Sequence, residues 1–291
     1  MNSQEPATNK AAWLQDIDER CRNMAEINRQ RESAQVIQLP LWTEARRGCP
    51  NAFLRSALFA AIERRGETKY LKNETLFSQK NYAIKFTGER LNQCDLTVWL
   101  ALVDLAHDTP LGVECSFTAY GIIKHMGLND GGRERDRLEE SVRRLAACLV
   151  EVKTERFTYG GSLVDNFLID EQTKHYKLTL NRELIKIFHD HEWTAIHWEQ
   201  RKKLKGKPLA LALHGLWSSH NERSLPLTSE YLHKITGSGN KDKYGFKRDL
   251  KKALKTLIEV GALECYDENE FKQGKVTVTK PYRSLPKPRM E

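Results

Sequence analysis

The densest chemistry in this sequence is a run of cations. Between Lys241 and Lys255 there are seven basic and two acidic residues. Projected at about 100° per residue, Phe246, Leu250, Ala253, Leu254 and Leu257 fall on one side of a helix, and Lys241, Arg248, Lys251, Lys252 and Lys255 on the opposite arc, with Lys243 and Lys247 adding to the patch. One face would be core and the other cationic. Such a face can simply be solvated. It also suits a polyanion, because duplex DNA carries about one phosphate charge per 1.7 Å of axis and releases condensed counterions to lysines that replace them. A second run, Arg133 to Arg144, puts Leu138, Val142, Leu145 and Leu149 inward and Arg133, Arg137, Arg143 and Arg144 outward. Arginine forks can bond guanine O6 and N7 bidentately. Here Glu134, Asp136, Glu139 and Glu140 leave residues 131–147 with five basic against four acidic groups. Base reading is expected at Arg133, Arg135 and Arg137, near the helix start; an ion-pair-laced surface helix is the competing account.

Gln38-Leu39-Pro40-Leu41-Trp42 is a short apolar segment between polar ones, and Pro40 forbids a continuing helix. A Gln to bond a groove rim, two spaced leucines and a terminal aromatic make it similar to the bacterial sliding-clamp binding motif, with Trp42 in place of the usual Phe. The alternative is a stretch that docks on the body of its own chain. Enzymatic signals are poor. Gly237-Ser238-Gly239-Asn240-Lys241 lacks the spacing and the hydroxyl of a phosphate-binding loop. His189 and His191, with His197 nearby, invite a metal or DNA-nicking reading, but Asp190 between them is charged and the segment reads as the end of a helix. No catalytic residue, metal ligand or cofactor site is assigned. The six cysteines are scattered, without metal-binding spacing, and read as reduced and mostly buried.

The elements that must position these residues follow from periodicity. Residues 8–36 read as a solvated helix or helical arm, and 43–68 as a linker with one short helix. Tyr70 to Phe77 and the Tyr82–Phe86 run read as two strands. An apolar helix over 93–107 leads to a strand from Val113 to Phe117, a helix capped by Thr118, a turn at Asn129–Gly132 and a helix over 134–148. Strands Leu149–Phe157 and Leu163–Ile169 are expected as a hairpin turning at Thr158–Gly161, with a third strand from Tyr176 to Leu180. The order then recurs: helix 208–218, the short Leu225–Leu227, a helix capped by Thr228, a turn at Gly237–Asn240, a helix over 242–260, and strands Ala262–Tyr266 and Lys275–Thr279 joined by an acidic loop. Thr118 and Thr228 lie 110 positions apart, and Leu138 and Leu250 lie 112 apart. This order is the winged-helix variant of helix-turn-helix, whose third helix enters the major groove. The expected fold class is α+β: two tandem winged-helix domains, 51–190 and 191–291, behind a helical or flexible N-terminal arm, 1–50.

Charge agrees with that division. Residues 1–50 and 51–190 are neutral, whereas 191–291 hold 20 basic and 12 acidic residues and so carry the whole +8 of the 291-residue chain. Such asymmetry points to nucleic acid first and an anionic membrane second. The longest apolar stretch, Leu209 to Trp217, is far short of the ~18 residues a bilayer span needs, and the polar MNSQEPATNK opening has no apolar core of a secretory signal. A cytoplasmic protein without membrane contact is expected.

Beyond the clamp-like segment, Arg55-Ser56-Ala57-Leu58-Phe59, Phe86-Thr87-Gly88-Glu89 with Leu91, Thr109-Pro110-Leu111-Gly112, and Ile196-His197-Trp198-Glu199 with Lys202-Lys203-Leu204 complete a pattern. From Leu39 to about Lys280 the chain thereby resembles the TrfA family of plasmid replication initiators, within the wider group of iteron-binding Rep initiators built from two winged helices. The resemblance implies binding to tandem origin repeats in double-stranded DNA and melting of an adjacent A·T-rich segment with the host initiator DnaA. It also implies recruitment of the replicative helicase and contact with the sliding clamp through Gln38, Leu39, Leu41 and Trp42. Single-stranded A·T-rich DNA and a resting homodimer are further partners it admits. Two other readings stand beside it: a winged-helix transcription regulator, which has no use for a clamp motif, and a DNA-nicking enzyme centred on His189 and His191.

Overall fold

The computed structural model describes residues 22, 39–63, 69–155, 157–188, 192–220, 226–240 and 242–281. The helix expected over 8–36 lies outside the described residues, as do His189 and His191. The chain enters through β1 (Arg46–Pro50) and a short α1 (Asn51–Leu54), then a hairpin of β2 (Tyr70–Leu76) and β3 (Ala83–Glu89). Next come α2 (Gln93–Leu105), β4 (Glu114–Thr118), α3 (Ala119–His125), α4 (Gly132–Ala147), β5 (Leu149–Lys153), β6 (Thr158–Gly161), β7 (Asn166–Ile169) and β8 (His175–Thr179). A 3-10 turn, Arg182–Phe188, then β9 (Trp193–His197) and α5 (Trp198–Lys203) lead to the second half. That half is α6 (Pro208–Ser218), β10 (Leu227–Thr228), α7 (Ser229–Ile235), α8 (Lys243–Glu259), β11 (Cys265–Tyr266), α9 (Glu268–Lys272), β12 (Lys275–Val276) and β13 (Val278–Thr279).

Two helices of this series start and stop alike. Thr118 Oγ1 accepts from Gly121 N at 2.9 Å ahead of α3, and Thr228 Oγ1 from Tyr231 N at 3.1 Å ahead of α7. Each threonine satisfies one N–H that a helix start leaves without an intrahelical partner. At the far ends Gly127 and Gly237 take φ values of +70° and +58°, and Leu128 N bonds Ile123 O as Ser238 N bonds His233 O. This Schellman closure needs a left-handed residue, which glycine adopts without steric cost.

The sheets repeat as well. β4 pairs with β8 and β8 with β7; in the second half β10 pairs with β12 and β11 with β13, only Thr277 separating β12 from β13. In both halves the last strand sits between the other two, and the third helix packs behind: two winged helices in tandem. The apolar faces read from the sequence are the buried ones, Leu138, Val142 and Leu145 on α4 and Phe246, Leu250, Ala253, Leu254 and Leu257 on α8. Leu149 is 44% exposed, because it opens β5 rather than ending α4.

Thr158–Gly161 is not the hairpin turn; it is strand β6, paired with β5, and the two join β2 and β3 in a separate four-stranded sheet. The wing of the first unit is the β7–β8 hairpin, turning where Asp170 Oδ1 accepts from Gln172 N and Thr173 N at 2.9 Å each. The region 43–68 is not merely linker and helix, because it contributes β1. Arg46 to Pro50 pairs antiparallel with Trp193 to His197, a contact between distant residues that local periodicity does not report. The acidic loop of the second wing contains α9, capped by Asp267, whose Oδ1 accepts from Asn269 N and Glu270 N. Of the described cysteines, Cys49, Cys115 and Cys148 are buried free thiols, and Cys94 and Cys265 are exposed.

Buried polar contacts hold the two units on one frame. Arg201 of α5 is 1% exposed, and its Nη2 donates to Gln93 O and Gln93 Oε1 at 3.2 Å and to Thr97 Oγ1 at 3.0 Å. Burial pushes this guanidinium down to about 10. Arg55 Nε donates to Ser219 Oγ at 3.1 Å, and Ala61 N to Thr236 O at 2.7 Å. The orientation of α4 relative to α8 is therefore fixed by packed polar groups rather than left to a linker.

Candidate nucleic-acid interface

Helix α8 starts at Asp242, whose carboxylate accepts from Tyr244 N at 3.1 Å and Gly245 N at 2.7 Å. From there Lys243, Arg248, Lys251, Lys252 and Lys255 are exposed on the side opposite the core. Lys247 is half-buried: its Nζ donates to Lys272 O at 3.0 Å and lies 5.5 Å from the Phe271 ring. Lys241 and Gln38 lie outside the described residues. The ion pairs on this face are long, Arg248 to Asp249 at 3.8 Å and Lys251 to Glu268 at 3.9 Å. An open groove runs between this row and Phe271 of the wing. Exposed pairs of that length contribute little, so the lysines remain available to an external anion.

Tyr244, which the spacing of the basic residues does not pick out, stands 86% exposed at the head of the groove. A signal for it existed. It precedes Phe246 by two residues, about 200° around the helix, which puts it on the cationic side.

The first unit's third helix is differently equipped. Arg135 makes two bonds to Asp130, Nε to Oδ1 at 2.8 Å and Nη2 to Oδ2 at 2.5 Å; Arg137 pairs with Glu134 at 3.0 Å, and Arg143 with Glu139 at 2.6 Å. The bond from Arg135 holds the Asp130 carboxyl below its ordinary value. Arg143 also lies 5.6 Å from the Phe167 ring on the wing. Arg144 departs from the expected outward face: it is 8% exposed, and its Nη2 lies 2.7 Å from Oδ1 of the fully buried Asp95. At about 100° per residue Arg144 lies within about 20° of both Arg133 and Arg137, so the helical period does not bury it; its tertiary partner on α2, the Asp95 carboxylate, does. Arg133, in the first turn, is exposed.

The clamp-like segment is not an exposed apolar trio. Leu39 is 5% exposed, and the half-buried Trp42 donates from Nε1 to Asp104 Oδ1 at 2.6 Å; only Leu41, at 85%, projects. The chain itself covers the two outer anchors. Among the described residues no group of three or more His, Cys, Asp or Glu side chains is arranged to hold a metal ion, and no helix is long and apolar enough to cross a membrane.

Fold and surface define a tandem winged-helix protein with one strongly cationic third helix. Residues 10–271 match the family described as TrfA protein, and the chain belongs to that family. A relative from Escherichia coli, "Plasmid replication initiator protein TrfA", is 26% identical over 236 residues, covering 79% of this chain and 61% of that protein. The chain thus spans about three-fifths of that relative's length. A crystal structure of domains 2 and 3 of RctB shares the fold, with a TM-score of 0.56 at 14% identity over 80% of this chain and 98% of that one.

Proposed function

We propose that this protein is a non-enzymatic, cytoplasmic initiator of plasmid replication that binds directly repeated origin sites in duplex DNA. The observation that carries the reading is α8: a helix with a buried apolar face and a row of exposed lysines, placed third in a winged helix of a TrfA-family chain. Phosphate contacts come from Lys243, Lys247, Arg248, Lys251, Lys252 and Lys255, and base contacts from Arg133 with Arg135 and Arg137 once these exchange their carboxylate partners for DNA. After binding, the initiator assists opening of an adjacent A·T-rich segment with DnaA and recruits the replicative helicase. It engages the sliding clamp through Leu39, Leu41 and Trp42.

Footprinting on the DNA flanking the protein's own gene tests this. Protection of direct repeats beside an A·T-rich tract is the expected result. Protection of a single palindrome instead would make the protein a winged-helix transcription regulator.

A further inference from the structure

The half-buried Trp42 is seated against the body of its own chain. Its indole N–H bonds Asp104 Oδ1, and its ring lies edge-on to His107 at 4.5 Å between centroids, stacked on Phe188 at 6.4 Å and tilted to Trp193 at 6.0 Å. Asp104 is itself fixed: its Oδ2 lies 2.9 Å from Arg47 Nε and 2.8 Å from His125 Nε2, and Arg47 is 5.0 Å from the Trp198 ring. His107 Nε2 lies 3.1 Å from Pro40 O, a second tie on the same segment. The seat also has a floor made by the absence of a side chain. A Cβ on Gly48 would stand 2.4 Å from Trp42 Cζ3 and 2.5 Å from Cε3, so only glycine there leaves room for the ring.

We propose that Leu39 to Trp42 form an intramolecular latch, in which the aromatic anchor of the clamp-binding segment is seated on Gly48, His107, Phe188 and Trp193 and must leave before the clamp can take it. This inference rests on the clamp reading of that segment. Leu41 is the part already presented to a partner, while Leu39 and Trp42 are covered. Binding through all three anchors therefore draws on the fraction of molecules with the latch open, and the apparent dissociation constant is raised by the inverse of that fraction.

Gly48→Ala is the decisive variant, because it evicts the Trp42 ring without altering any residue of the segment. Affinity of the full-length chain for purified bacterial sliding clamp is measured by surface plasmon resonance, with acrylamide quenching of tryptophan fluorescence as an independent report of release. The expected result is clamp binding about tenfold tighter or more than wild type, greater quenching, and loss of the gained binding when Leu41→Ala is added. His107→Ala, which loosens the seat without touching β1, should shift both readouts the same way and serves if Gly48→Ala does not fold. Wild-type and latch variants binding the clamp equally, with Trp42 freed, would overturn the latch and leave the clamp reading standing. No clamp binding by any of the chains, with Trp42 freed, would overturn the clamp reading and the latch with it.

Discussion

Arg144 Nη2 and Asp95 Oδ1 meet at 2.7 Å with both side chains buried, and Asp95 simultaneously accepts from Asn92 N at 3.0 Å to close the capping box of α2. One carboxylate thus joins the start of the first helix of the unit to the last turn of its third. Breaking a buried pair leaves an uncompensated charge, so Arg144→Ala should cost about 3–5 kcal/mol in urea denaturation. Replacing Arg144 and Asp95 together by apolar residues should recover a good part of that loss, less the lost cap. A stability change under 1 kcal/mol for Arg144→Ala, on the order of a surface pair, would contradict the buried role.

Lys251→Ala with Lys252→Ala should weaken duplex binding for all sequences and lower the salt dependence of log K by about 1.8, since each lost phosphate contact removes ~0.9 from the slope. Both side chains are exposed on α8, so folding should be little affected. Fluorescence anisotropy over a salt series gives the slope, and an unchanged slope would mean that this face does not touch phosphate.

Arg133→Ala should act differently, relaxing base preference at one position of each repeat at a cost of ~1–3 kcal/mol. Competition with single-base variants of the site reads this out. Equal losses for every variant would reduce Arg133 to a phosphate contact.

Tyr244→Ala should weaken binding while leaving the salt slope as in the wild type, because an exposed aromatic ring contributes contact area and displaces no counterion. The same anisotropy series checks it; full affinity in the variant would remove Tyr244 from the interface.

His214 supplies a pH dependence. It is 2% exposed, its Nε2 lies 3.2 Å from Gln200 Oε1, and burial, aided by the charge of Arg201, pushes it down to about 3. The unfolded chain takes up this proton near pH ~6.5 and the folded one does not, so the term is fully present above that value and is lost as pH falls toward the folded value. The slope approaches about 1.4 kcal/mol per pH unit, or about 2 kcal/mol between about pH 7 and about pH 5. His214→Gln should show a correspondingly smaller decline in urea denaturation across that interval. Identical declines would show that the native state admits the proton.

Sequence alone determined what local physics governs. The 3.6-residue period of Phe246, Leu250 and Leu257 fixed which side of α8 is buried, and therefore which side its lysines occupy. Thr118, Thr228, Gly127 and Gly237 set helix starts and stops through bonds that span no more than a few residues, which is why the repeat showed through spacing. Tertiary structure decided whatever depends on a distant partner. Whether an arginine of α4 faces DNA or a carboxylate depended on Asp95 and Asp130 standing where they do. Whether Thr158–Gly161 turned or extended depended on β5 being claimed by β3, from a hairpin more than sixty residues earlier in the chain. Whether Leu39 and Trp42 were free depended on Asp104, Phe188 and Trp193 assembling a seat over Gly48. The apolar pattern of a segment says that it must be covered; only the assembled fold says by what, because burial can be met by a partner or by the chain itself.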